Sequence, residues 1–113
     1  MEEDEDILKE KNFTLISDNN EYKVKLYIID DNFCIKLTTN KISKTYDFTS
    51  TLDDLKNIND FFKIFKDLKE IFIELEKKIE KSKIIEESNL IKLDIPIGLN
   101  IINDVILVIY ESK

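Results

Sequence analysis

Histidine, arginine, alanine, glutamine and tryptophan do not occur in this 113-residue sequence, and glycine, proline, cysteine and methionine occur once each. Each absence removes a class of chemistry. Without histidine there is no Ser-His-Asp or Cys-His catalytic arrangement, and the commonest metal ligand is missing. The single cysteine, Cys34, has no partner for an internal disulfide and leaves a zinc site short of ligands. The single glycine, Gly98, excludes phosphate-cradling and dinucleotide-binding loops, which need several. Without arginine, bidentate contacts to phosphate and base edges are lost. A net charge of −7 opposes nucleic acid further. No metal, no cofactor and no nucleic-acid partner are therefore expected.

Long apolar runs are also missing. The longest, Val105–Tyr110, is far too short for a membrane-spanning helix. Met1 is followed by five acids, not by the basic and then apolar opening of a secretion signal. These features predict an intracellular protein, cytoplasmic or nuclear, that does not engage membranes. In that setting the glycosylation triplet Asn12-Phe13-Thr14 is idle.

What is present is 20 isoleucines, 17 lysines and 10 asparagines. All three have A/T-rich codons, so the usage reflects an A/T-rich genome, whether of a protist, a low-GC bacterium or a large DNA virus. An apolar content of 42% suffices for one core, and the length leaves no room for a second. The charge is unevenly placed: residues 1–10 carry six acids against Lys9, while the remaining 103 residues carry 18 acids and 16 lysines. The sequence thus predicts an acidic, frayed tail over 1–11 and one domain over 12–113.

Within that domain the hydrophobic period changes twice. Phe13–Ser17 has strand composition, and Asp18-Asn19-Asn20 has turn composition. Tyr22, Val24, Leu26 and Ile28 then alternate with Lys23, Lys25 and Tyr27. Across a tight Asp30-Asp31 turn, Phe33, Ile35 and Leu37 alternate with Cys34, Lys36 and Thr38, which completes a hairpin. Asn40-Lys41 reads as a turn, and Ser43–Phe48 as a fourth strand with Tyr46 and Phe48 on one face.

At Ser50 the period becomes helical. Ser50 is the expected N-cap, followed by Leu52, Leu55, Ile58, Phe62 and Phe65 at helical spacing. Asp67-Leu68-Lys69-Glu70 reads as a second helix start, and Leu68, Ile71, Phe72, Leu75 and Ile79 form its apolar stripe. Alternation resumes at Ile84. A Ser88-Asn89 turn precedes Ile91, Leu93, Ile95 and Ile97 on one face, Gly98–Asp104 reads as a loop, and Val105–Tyr110 is apolar on both faces. Strands and helices in separate blocks predict an α+β fold. It comprises an antiparallel sheet of six to seven strands (β-meander, two helices, C-terminal hairpin) with the helices on one face, or a curled sheet or small open barrel.

Two surfaces are candidates for a partner. Phe61, Phe62, Ile64 and Phe65 are more than one helix stripe accommodates, so they either pack between helices or fill a partner's groove. Ile106, Val108 and Tyr110 belong to a strand that is either central or an edge open to another chain. The candidate interaction residues are accordingly Phe61, Phe62, Phe65, Ile106, Val108 and Tyr110. The expected function is a non-catalytic protein-protein interaction or scaffold module, with a protein partner that includes a second copy of the chain. The alternatives are a small enzyme or enzyme subunit using carboxylates such as Asp53, Asp54 and Glu70, or a viral accessory protein that blocks a host factor.

Tyr46, Phe48, Leu52, Leu55, Asn59, Phe61-Phe62, Leu68 and Ile71 follow a Tyr-x-Phe strand, Ser-x-Leu-x-x-Leu helix start and Asn-x-x-Phe-Phe helix order, except that Asn59 stands one residue nearer Phe61-Phe62 than that last spacing asks. In this respect the chain resembles small non-catalytic α+β interaction modules of A/T-rich protist proteins, which implies a role as a scaffold part. The meander-plus-two-helices order is also similar to the heads of centriolar and end-joining coiled-coil proteins. Those heads run on into a long heptad helix, which this sequence does not contain.

Overall fold

A computed structural model describes residues 9–39, 44–97 and 104–112. Seven strands form a single antiparallel sheet: β1 (Lys9–Ser17), β2 (Asn20–Ile29), β3 (Asn32–Thr39), β4 (Thr45–Ser50), β5 (Lys83–Glu86), β6 (Leu90–Ile95) and β7 (Val105–Glu111). Their order across the sheet is β1-β2-β3-β4-β7-β6-β5. Between β4 and β5 lie α1 (Leu52–Ile58), a 3-10 turn (Asp60–Ile64), α2 (Leu68–Lys78) and a second 3-10 turn (Ile79–Lys81). The fold is α+β, as the two changes of period require.

The first two hairpins are closed by residues with positive φ. Asp18 and Asn19 (52° and 67°) join β1 to β2, and Asp30 and Asp31 (51° and 61°) join β2 to β3. Two consecutive left-handed residues match the twist of the flanking strands, and Asp and Asn tolerate that region best after glycine. The turns lock a register in which Tyr22, Val24, Leu26 and Ile28 pair with Thr39, Leu37, Ile35 and Phe33. All of these are buried on the concave face.

The sheet consists of two meanders, β1–β4 and β5–β7, joined where β4 meets β7. Only Tyr46↔Glu111 and Asp47↔Tyr110 pair across that junction. Beyond it the strands diverge, and the helical segment occupies the concave side. Leu68, Ile71, Phe72 and Leu75 of α2 are buried there, and α2 packs on β1, β2 and β3. At one end the curl brings the two edges together: Ser17 Oγ donates to the Ile84 carbonyl at 3.4 Å.

Several expectations need correction. The α1 N-cap is Thr51, whose Oγ1 accepts from the Asp54 amide at 3.2 Å; Ser50 donates instead to the Thr51 carbonyl. The helical period does not run on to Phe65. It stops at Ile58, where Asn59 Oδ1 accepts from the Phe61 amide at 2.8 Å and starts the 3-10 turn. Ile58, expected on the apolar stripe, is consequently 43% exposed. β1 begins at Lys9, four residues before Phe13 and inside the expected tail; Lys9 and Lys11 pair with Ile28 and Leu26 on the concave side. Their aliphatic stems can cover apolar surface while the ammonium groups reach water. The Asn40-Lys41 turn, residues 98–103 of the expected loop and residues 1–8 of the tail lie outside the described residues.

Candidate interaction surface

The tighter 3-10 rotation decides where the phenylalanines go. Phe61 and Phe62 are buried and Phe65 is half-buried against the core. Phe61 meets Phe62 edge-to-face at 5.4 Å between ring centroids and Phe65 at 5.1 Å. Such pairs add about 0.5–1.5 kcal/mol to the burial term. Phe61 and Phe62 are therefore core residues with no side chain left for a partner. The residue that points away is Ile64, 61% exposed.

The C-terminal residues separate differently. β7 lies between β4 and β6 in the strand order; it pairs with β6 along Val105–Tyr110 but with β4 only at Tyr110 and Glu111, so the β4-facing edge of Val105–Ile109 pairs with no strand among the described residues. Val105, Leu107 and Ile109 are buried on the concave face. The alternate residues point outward: Ile106 is 47% and Tyr110 60% exposed, and Val108 is half-buried. Register extends the row sideways. Tyr110 pairs with Leu90, and Lys92 lies between Val108 and Ile85, itself 45% exposed. Ile106, Val108, Tyr110 and Leu90 thus form an apolar row on the outer face of β6–β7, with Ile85 on the far side of Lys92 and Asp94 opposite Ile106. An ion pair between Lys92 and Glu87 at 3.3 Å borders it.

The other half of the same outer face is basic. Asn12, Lys25 and Lys36 occupy one cross-strand row on β1–β3, and Thr14, Lys23 and Thr38 the next. With Phe13 and Val24 they line a groove of about 380 Å³. Sequence reasoning missed it. Its signal was present as three outward lysines in two alternating strands, but only the register shows that Lys25 and Lys36 stand directly opposite.

The carboxylates considered for catalysis have backbone duties. Asp53 and Asp54 lie in the first turn of α1. Glu70 Oε1 accepts from the Lys66 amide at 2.8 Å, while Asp67 caps α2 by accepting from the Glu70 amide at 2.9 Å. Asp30 and Asp31 shape their turn, with Asn32 Nδ2 donating to the Asp30 carbonyl at 3.0 Å. Among the described residues no group of three or more His, Cys, Asp or Glu is placed to hold a metal ion. Cys34 is buried although its neighbours on that face are not, and burial pushes its thiol pKa up, which disfavours the reactive thiolate.

Two further polar sites lie at sheet margins. Tyr22 donates to Glu86 Oε1 at 2.6 Å across the closing edge, and burial together with that carboxylate pushes the phenol up to about 12. Asp94 is held above the usual carboxylate range by burial and by the adjacent Asp104, with Lys83 opposing.

No helix among the described residues is long and apolar enough to cross a membrane. No family model, curated protein or solved structure matches the chain.

Proposed function

We propose that the chain is a non-catalytic protein-protein interaction module that docks a protein partner on the outer face of β5–β7. The observation that carries this reading is the row Ile106, Val108 and Tyr110. It presents apolar side chains to solvent on a central strand whose other face already fills the core. Outward positions of a sheet that is covered on one face alternate to polar residues, as Asn12, Thr14, Lys23, Lys25, Lys36 and Thr38 do here, and although Ile16 is an exposed apolar exception on β1, a whole apolar outward row needs a second explanation. A partner that covers the row supplies one, and a second copy of the chain is such a partner. The resemblance to protist interaction modules agrees with a binding role.

The test compares the full chain with its I106K/Y110K variant as bait in extracts of the native cell. Both residues are exposed, so the variant keeps its fold, checked by circular dichroism. Proteins retained by the parent and lost on the variant support the reading. An identical retained set on both baits sinks it. Light scattering over a concentration series asks the same of self-association, which must weaken in the variant if the partner is another copy.

A further inference from the structure

The basic groove on β1–β3 is unusual for a chain with this charge. Lys25 and Lys36 are directly paired across β2 and β3, and Lys23 follows two residues along. Like charges opposite one another in an antiparallel pair destabilise it. The rest of the lining supplies Asn12, Thr14 and Thr38, which can all donate hydrogen bonds. The acids of this face stand at its margins. Asp47 beside Lys36 accepts from Ser112 Oγ, and Glu21 sits beyond Lys23 at the far end of β2. Glu10 leans in from β1, with Oε2 3.9 Å from Lys25 Nζ and accepting from Asn12 Nδ2 at 3.1 Å. Neither Lys23 nor Lys36 has an ion-pair partner among the described residues.

We propose that this lane is a docking site for a carboxylate-rich peptide, and that its resident occupant is the chain's own segment Glu2-Glu3-Asp4-Glu5-Asp6. Three observations select that occupant. The segment carries five consecutive acids, the complement of a lane of three lysines. It leads directly into β1, which forms one wall of the groove. Glu10, the acid next along the chain, already turns its carboxylate onto Lys25.

Reach permits the contact. From Lys9 to Asn12 and Thr14 is about 10–17 Å along the strand, and the seven links from Lys9 back to Glu2 span at most about 25 Å. A tether this short gives an effective concentration on the order of millimolar, so weak exposed ion pairs suffice for occupancy. The lane is then closed to other acidic peptides until one displaces the segment.

The experiment uses the full chain and amide chemical shifts. In the variant E2Q/E3Q/D4N/E5Q/D6N at about 20 mM salt, the amides of Asn12, Thr14, Lys23, Lys36 and Thr38 are expected to move. The same amides of the parent move alike on raising salt to about 500 mM, and those of Leu93, Leu107 and Val108 stay still. The reciprocal variant K23Q/K36Q, altered only at exposed positions, is expected to move the amides of residues 2–6. A hexaglutamate probe is expected to bind the neutralised variant about tenfold more tightly than the parent. Shift changes confined to residues 1–11 overturn the proposal, as does equal hexaglutamate affinity. Lane shifts that grow with protein concentration also overturn it, because they place the segment on a second copy.

Discussion

Replacing Phe62 by alanine tests the core that the 3-10 turn builds. Phe62 is fully buried in the 3-10 turn that precedes α2, and its ring meets Phe61 edge-to-face at 5.4 Å. Removing a buried phenylalanine side chain costs about 3–5 kcal/mol through lost burial and the cavity left behind. The aromatic contact places this site toward the upper half of that range. An unfolding entropy of about 2.1 cal/mol/K per residue gives roughly 0.24 kcal/mol/K for this chain. Phe62→Ala should therefore lower Tm by about 17–21 °C, and its cost is a large part of the stability of a domain this size. Ile64→Ser, two residues away and 61% exposed, should stay within about 0.5 kcal/mol. Urea unfolding followed by far-ultraviolet circular dichroism measures both. If Phe62→Ala costs under about 1 kcal/mol, or Ile64→Ser costs as much as Phe62→Ala, the phenylalanines are not packed as described. The docking role excluded above for Phe61 and Phe62 would then be open again.

Asp67→Ala removes the α2 cap, and the Glu70 amide loses its acceptor; a loss of about 1 kcal/mol is expected in the urea midpoint, with an unchanged slope. Asp94→Asn should stabilise the protein at neutral pH. Asp94 has a raised pKa in the folded state, so the folded state binds more protons than the unfolded state across the interval between the two values. Stability therefore falls as pH rises from about 4 through that interval, and the penalty persists above it. The advantage of Asp94→Asn in a thermal-melt series should be present at pH 7 and shrink toward pH 3; an advantage that grows on acidification contradicts the assignment.

Most of the fold was legible because its periods are clean. Tyr22–Ile28 and Phe33–Leu37 alternate strictly, and Leu68–Leu75 repeats at helical spacing, so burial alone fixes which face each presents. Val105–Tyr110, apolar on both faces, left a central strand and an edge as alternatives, and only the strand order places it between β4 and β6. The misses came from effects that period does not encode. Ile58 and Phe61 exchange roles because one asparagine, Asn59, ends α1 and restarts the chain as a 3-10 turn. Spacings of three and 3.6 residues are indistinguishable over so few positions. Lys9 and Lys11 hid the start of β1 because charged residues at a sheet edge look like loop. The row was half visible as Ile106, Val108 and Tyr110, while Leu90 joins it only through the β6-β7 register. The lysine lane needed the register of three strands and was not legible from any one of them.

The scarcity of glycine has a consequence for the electrostatics. A chain with one glycine closes its first two hairpins with Asp18, Asn19, Asp30 and Asp31 in the left-handed region. Its helical segments then start on Asp53, Asp54, Asp60, Asp67 and Glu70. Eight of the 18 acids after residue 10 are thereby accounted for by backbone geometry. Much of the negative charge of the folded part is a by-product of making turns and helix starts from carboxylates. The isoelectric point of about 4.7 is to that extent a record of how the chain bends. Charge that carries recognition must instead be sought where no turn or cap explains it, and the lysines of β2 and β3 and the five acids that precede β1 are among the charges of that kind.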